Sequence, residues 1–205
     1  MLQQEYKIDK YGKEILLQDN KNQVMMEWEK PYMEACIDKL QPKGDVLEIG
    51  FGMGYSATQI QKYKPKSHTI IEMDKTVIKR LKKWAKDYDN IIVVEGTWQE
   101  KLKDLGKFDE IFFDDFPLKE PKNILELKLL VERLPMFLDI CRFNHSKSTT
   151  KFSAYIHDLT GEFKNRMENN PHYSYKEYYM DIDLPDNCNY YRDNKGIIPI
   201  IQLRK

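Results

Sequence analysis

The stretch that most constrains this chain is a short apolar run ending in glycines, Val46-Leu47-Glu48-Ile49 followed by Gly50-Phe51-Gly52-Met53-Gly54. Glycines placed directly after a strand, at the opening of a helix, permit a tight turn and let a bound molecule approach the backbone closely. A helical stretch from Tyr55 to Tyr63 follows. Thr69-Ile70-Ile71-Glu72 reads as a second strand, Ile91-Ile92-Val93-Val94 as a third and Glu110-Ile111-Phe112-Phe113 as a fourth. A lysine-rich amphipathic helix, Thr76 to Tyr88, joins the second to the third. Short, almost wholly apolar strands alternating with helices imply a parallel sheet covered on both faces.

The C-terminal third changes character. Phe152-Ser153-Ala154-Tyr155-Ile156 reads as a fifth strand. Tyr173 to Leu184 and Ile197 to Leu203 are extended and rich in tyrosine and isoleucine, and Pro185-Asp186-Asn187 between them is a turn signal. The expected fold is therefore α/β: a Rossmann-like, seven-stranded, mostly parallel sheet with a C-terminal antiparallel hairpin and helices on both faces. Upstream, residues 1–22 are polar, lysine-rich and without clear period, and read as an N-terminal arm ordered only if something packs on it. Residues 23–205 read as one domain, with neither a repeat nor a linker. Apolar residues from Val24 to Leu40 recur at helical spacing, and Pro31 divides them into a short turn and a helix that begins near it.

Glu72 closes the second strand, with Met73 and Asp74 after it. An acid in that place can accept hydrogen bonds from both ribose hydroxyls of a bound nucleoside. The glycine spacing is GxGxG rather than GxGxxG. That favours a nucleoside cofactor without a diphosphate, of which S-adenosylmethionine is the commonest, and disfavours a nicotinamide dinucleotide. Gly96-Thr97-Trp98 follows the third strand, where Trp98 can flank an adenine or simply serve as core. Glu29, ahead of the sheet, and Asp114-Asp115, ending the fourth strand, lie among aromatic residues, so their desolvation would be offset by a cationic ligand. By composition alone the plainer reading, a lysine partner for Glu29 and a simple turn at Asp114-Asp115, is favoured, since the chain carries 33 acids.

Those 33 acids balance 33 basic residues, which argues against a nucleic-acid partner held by bulk charge. No apolar run suits a membrane span, and no secretory signal opens the chain, so a cytoplasmic setting is expected. Cys36, Cys141 and Cys188 are far apart, and the four histidines are scattered; neither a disulfide framework nor a metal site is expected. The oligomeric state is left open.

Several segments taken together resemble the guanidinoacetate N-methyltransferase family, within the S-adenosylmethionine-dependent methyltransferases. They are Val24-Met25-Met26-Glu27-Trp28-Glu29-Lys30-Pro31-Tyr32-Met33, Leu47 to Met53, Ile70-Ile71-Glu72, Gly96-Thr97-Trp98, Phe113-Asp114-Asp115-Phe116-Pro117-Leu118 and Cys188-Asn189-Tyr190-Tyr191. The resemblance implies a cofactor pocket lined by Met25, Met33, Phe51, Gly52, Met53, Gly54, Tyr55, Ser56, Glu72, Met73, Asp74, Thr97, Trp98 and Asp114. It implies that Glu29 and Asp114 hold the substrate guanidinium, that Asp114 accepts its proton, and that backbone amides of Leu159 and Thr160 bind a substrate carboxylate. The Leu-Thr pair and the tail from Leu184 to Tyr191 lean toward the small-molecule reaction, guanidinoacetate to creatine. A related enzyme that methylates the internal nitrogen of protein arginine shares the Met-Glu-Trp-Glu stretch, the glycine loop and the Gly-x-Trp, and stands as the alternative. A degenerate methyltransferase fold kept only for binding is a third reading. The chain departs from the family pattern at Asp115, where a threonine is usual, at Asn144 to Thr149, in place of a Pro-Gly-Gly turn, and in a shorter N-terminal arm.

Overall fold

A computed structural model describes residues 3–115, 132–157 and 161–204. Seven strands form one sheet in the spatial order β6-β5-β4-β7-β8-β10-β9. They are β4 (Asp45–Ile49), β5 (Ser67–Glu72), β6 (Ile91–Glu95), β7 (Phe108–Phe113), β8 (Ser146–Ala154), β9 (Tyr173–Asp181) and β10 (Lys195–Leu203). The first five are mutually parallel, and β10 is antiparallel to both β8 and β9. The expected parallel sheet with an antiparallel C-terminal pair is the observed one. The link between β9 and β10 is not the tight turn expected at Pro185-Asp186-Asn187: residues 182–194 make a long excursion, closed where the Ile182 amide donates to the Asn194 carbonyl.

Successive strand residues face opposite sides, and the core divides accordingly. Val46, Ile70 and Phe112 point to one face, where α1 (Lys30–Leu40), α2 (Tyr55–Lys62) and α3 (Lys75–Trp84) contribute Met33, Ile37, Leu40, Ile60 and Leu81. Leu47, Ile71, Ile111 and Phe113 point to the other. There they meet Trp98 and Leu102, from α4 (Trp98–Lys101) and the turn after it, Phe137 and Cys141 of α5 (Arg133–Asn144), and Met167 of α6 (Glu162–Glu168). Helix α5 was not expected from the sequence, although Pro135 in its first turn and the buried spacing of Phe137, Leu138 and Cys141 fit one.

Residues 4–26 are built into strands and the turns that join them. β1 (Gln4–Ile8), β2 (Glu14–Gln18) and β3 (Asn22–Met26) form a separate antiparallel sheet. Asp19 and Asn20, both with positive φ, make the β2–β3 turn in the mirror-image conformation that suits strand twist. Val24 to Met26 therefore belong to a strand, not to the helical run expected from Val24. The helix starts at Lys30, with Pro31 in its first turn, after a 3-10 turn at Glu27–Glu29. A division between residues 22 and 23 falls inside β3, so arm and domain share one sheet. What packs on the arm is α3: Arg80 makes a two-pronged bond to Glu14 (2.7 and 2.9 Å) and covers the Tyr6 ring. Among the described residues no helix is long and apolar enough to cross a membrane, and no cluster of His, Cys, Asp and Glu is arranged to hold a metal ion.

Candidate functional site

A cavity of about 410 Å³ opens at the carboxyl edge of β4, β5, β6 and β7, the edge where ligands bind in sheets of this kind. Its floor is the glycine turn. Gly50 has φ +83°, and a Cβ there would lie 2.1 Å from the Asp114 carbonyl oxygen. Gly52 has φ +51°, and a Cβ there would meet the Met25 sulfur at 2.7 Å. Larger residues would therefore displace the strand carrying Asp114 or fill the cavity floor. From above, β1 closes over: the Tyr6 hydroxyl donates to the Gly52 carbonyl (2.7 Å), and the Gln4 amide donates to Asp74 (3.2 Å).

Glu72 is buried and organises two loops at once. Its Oε2 accepts the Phe51 amide at 3.0 Å, while Oε1 accepts the amides of Met73 (2.7 Å) and Asp74 (2.8 Å). Burial holds this carboxyl above its ordinary value, against the pull of those three amides. Glu72 lines the cavity, and Oε2, accepting one amide, keeps acceptor capacity for a ribose hydroxyl. Asp74 caps α3 through the amides of Thr76 and Val77 (2.8 and 3.1 Å) and does not line the cavity.

Of the residues expected around the cofactor, the cavity gathers Met25, Gly52, Glu72, Met73, Thr97, Trp98 and Asp114. It does not gather Met33, which is core beneath α1, nor Phe51, whose ring packs on Trp84 at 5.4 Å. Met53, Gly54, Tyr55 and Ser56 lie along the start of α2 instead, Ser56 donating its hydroxyl to buried Glu48. Gln4, Val24, Ile49, Ile71, Gln99, Glu100 and Arg133 line the cavity without having been singled out in the sequence. For Arg133 a signal existed: an extra acid at Asp115 needs a cation.

Alternation past the end of β7 separates the two adjacent aspartates. Asp115 turns to the α5 side, where its Oδ2 accepts Trp98 Nε1 at 2.6 Å and pairs with Arg133. Burial raises its pKa, and the Arg133 charge opposes that rise. The charge added by the departure from threonine is thus matched within the cavity wall. Asp114 turns to the α1 side and lines the cavity; among the described residues nothing hydrogen-bonds its carboxylate. Burial, then the charges of Glu29, Glu48, Asp115 and Glu72, hold it well above the usual carboxylate range.

Glu29 is the second expected substrate residue. It sits in the turn before α1, 2% exposed, and its Oε1 accepts the Met26 amide at 2.9 Å and the Tyr190 hydroxyl. Burial pushes it up to about 7. Glu29 does not line the cofactor cavity but lies close enough to be the largest charge acting on Asp114. Tyr155, Tyr190 and Tyr191 surround the pair, all with pKa raised chiefly by burial and further by the charge of Glu29. No cation among the described residues pairs with either acid. Leu159 and Thr160 lie outside the described residues, so the expected carboxylate-binding amides have no structural account.

Comparison with known proteins follows the same lines. The family model for guanidinoacetate N-methyltransferase matches residues 7–126. Protein arginine N-methyltransferase 2 of Saccharomyces cerevisiae is 31% identical over 210 residues, covering 91% of this chain and 49% of that protein. The chain thus spans about half the length of that relative. Spermidine synthase from Thermotoga maritima superposes with a TM-score of 0.67 at 17% identity, over 98% of this chain and 69% of the other. An O-methyltransferase from Bacillus cereus, solved with S-adenosylhomocysteine, gives 0.59 at 13%, over 88% and 82%. These two likenesses establish the fold. The lean toward a guanidinoacetate substrate is not what the curated relatives carry: their name is that of the arginine enzyme, the alternative reading. The glycine turn, the Glu72 cradle and the Asp114–Glu29 pair all lie within the matched segment, and the chain belongs to the guanidinoacetate N-methyltransferase family of S-adenosylmethionine-dependent methyltransferases.

Proposed function

We propose that this protein transfers a methyl group from S-adenosylmethionine to the guanidino group of an arginine side chain. The observation that carries the reading is the pair Asp114 and Glu29: two acids without a cationic partner among the described residues, both raised by burial, Asp114 lining a cavity suited to a nucleoside and Glu29 beside it. Such a pair costs free energy until a cation arrives. A guanidinium suits it, being planar, permanently charged and able to meet two carboxylates through its fork of donors. The name of the yeast relative supports arginine over guanidinoacetate as its bearer.

The cavity fits the donor. Met25, Ile49, Ile71, Met73 and Trp98 give it apolar walls, and Glu72 supplies the ribose acceptor. When bound, S-adenosylmethionine supplies an electrophilic methyl on a sulfonium. The chain's own residues do the rest. A guanidinium with a pKa of about 12.5 to 13.8 presents almost no free base at neutral pH, so its proton must leave as the new bond forms. Asp114, at the junction of cavity and acceptor side, accepts that proton. Glu29 holds the far edge of the fork, and fixing the plane places one nitrogen toward the cavity. Arg133 pairs with Asp115, so the charge added by that acid is matched within the cavity wall.

Assays with methyl-labelled S-adenosylmethionine against an arginine peptide, free arginine and guanidinoacetate test this reading. Transfer to arginine, with the label on a guanidino nitrogen, is expected. Transfer to guanidinoacetate alone would restore the small-molecule reading, and no transfer to any of the three would overturn both.

A further inference from the structure

The excursion between β9 and β10 is clasped to the N-terminal sheet. Gln23 of β3 donates through Nε2 to the Asn187 carbonyl (2.7 Å) and accepts the Asn189 amide at Oε1 (2.8 Å). The Asn187 side chain donates to Asp9 at 2.9 Å. Immediately beyond this double bond, Tyr190 turns inward and gives its hydroxyl proton to Glu29 Oε1. That oxygen also accepts the Met26 amide, so its lone pairs are both engaged. Oε2 has no hydrogen-bond partner among the described residues. Trp28 packs on Tyr190 and on Tyr191, with centroids 6.1 and 5.3 Å apart, and so keeps the tyrosine from swinging away.

We propose that Tyr190 is a positioning residue, held in place by the Gln23 clasp, that engages Glu29 Oε1 and thereby presents Oε2 to the substrate guanidinium. The chain's two ends thus cooperate in setting one carboxylate. This rests on the guanidino reading of the site. The clasp lies on the side of β3 away from the glycine turn, so it should act on acceptor binding and leave the cofactor alone. The groups that face Glu29 closely enough to feel its charge are Tyr190, Tyr155, Tyr55, Tyr191 and Asp114. Of these, Tyr190 is the one that donates to it, and that bond lowers its pKa against the burial that raises it.

The test uses the protein loaded with S-adenosylhomocysteine and titrated calorimetrically with an acetylated, amidated arginine. Tyr190→Phe removes one oxygen and keeps the ring against Trp28. It should weaken arginine binding by about tenfold, the scale of one hydrogen bond to a charged group, and leave affinity for S-adenosylhomocysteine unchanged. Gln23→Ala, remote from the site, should weaken arginine binding in the same direction by a few-fold. In turnover both should raise KM more than they lower kcat. Unchanged arginine affinity in both variants, or equal losses of arginine and cofactor affinity, would overturn the proposal. A second measurement needs no substrate: the carboxyl of Glu29, labelled with carbon-13 and assigned by its loss in Glu29→Gln, should titrate at higher pH in Tyr190→Phe and in Gln23→Ala. If the unmutated protein binds no guanidino compound, the guanidino reading fails. The titration then still decides the clasp, since an unmoved midpoint in both variants means that neither residue holds this carboxylate.

Discussion

The two halves of the site are built in opposite ways. The cofactor half comes from three short segments that follow neighbouring strands, residues 49–54, 71–74 and 96–98, and its bonds are mostly to backbone amides. The acceptor half takes Glu29 from the turn before α1, Asp114 from the end of β7, Tyr155 from beyond β8 and Tyr190 from the tail. One carboxylate in the first half is satisfied by three amides. The acids of the second are buried with little to satisfy them, Glu29 raised to about 7 and Asp114 held well above the usual carboxylate range. The first half is thus complete in its bonding before anything binds, whereas the second is held at a free-energy cost that a cation would relieve.

If the halves are this separate, mutations should separate them too. Asp114→Asn is expected to have the largest effect: methyl transfer slower by about two to four powers of ten, with cofactor affinity near normal. Asparagine keeps the shape and loses the charge and the basicity. Single-turnover rates beside S-adenosylhomocysteine affinity give the answer, and equal losses in both would show the halves to be one.

Glu72→Ala should do the reverse, weakening cofactor binding by about 1.5 to 3 kcal/mol. It also releases three amides, so the melting temperature should fall, and affinity for S-adenosylhomocysteine unchanged in calorimetry would remove Glu72 from the cofactor half. Glu29→Gln should weaken the guanidino substrate by a similar amount, through KM more than kcat.

The same substitution has a pH-dependent effect on stability. Folding raises the pKa of Glu29 from an ordinary value of 4.5 to about 7. Between those values the folded state holds a proton that the unfolded state has lost, so stability falls as pH rises through that window and levels off above it. Glu29→Gln cannot titrate and should flatten that slope. Denaturant midpoints at pH 5 and pH 8 compare the two proteins, and identical slopes would mean that Glu29 is not raised.

The contrast between the halves also explains what could be read in advance. β4 to β7, the glycine turn and Glu72 announce themselves because short, nearly continuous apolar runs and glycines are local signals. The three-stranded N-terminal sheet was missed although Asp19-Asn20 marks a hairpin turn, because β1 and β3 alternate poorly: only Gln4, Met25 and Met26 in them are buried. Val24 to Met26 was merged with α1 because only Glu27-Trp28-Glu29 separates strand from helix, and Met25, Trp28 and Tyr32 happen to fall at helical spacing across it. The extra acid at Asp115 signalled a cation, but that Arg133 supplies it, and the bond from Tyr190 to Glu29, were not legible. Partners 18 and 161 residues apart leave no spacing in the sequence. Asp114 and Asp115 were legible as acids at a strand end; that one faces a cavity and the other an arginine is decided by alternation across the sheet.

The most direct test of two buried acids held above their ordinary pKa until a cation arrives is a count of protons released. Calorimetric titration of the S-adenosylhomocysteine-loaded protein with an arginine peptide, run at pH 6.5 in two buffers of different ionisation heat, gives that count. A guanidinium keeps its own charge at this pH and favours the ionised form of Glu29 and Asp114, so binding should expel protons into the buffer. Release should shrink in Glu29→Gln. Binding with no proton exchange, or with uptake, would contradict the account, because the two carboxylates would then already be ionised without their cation.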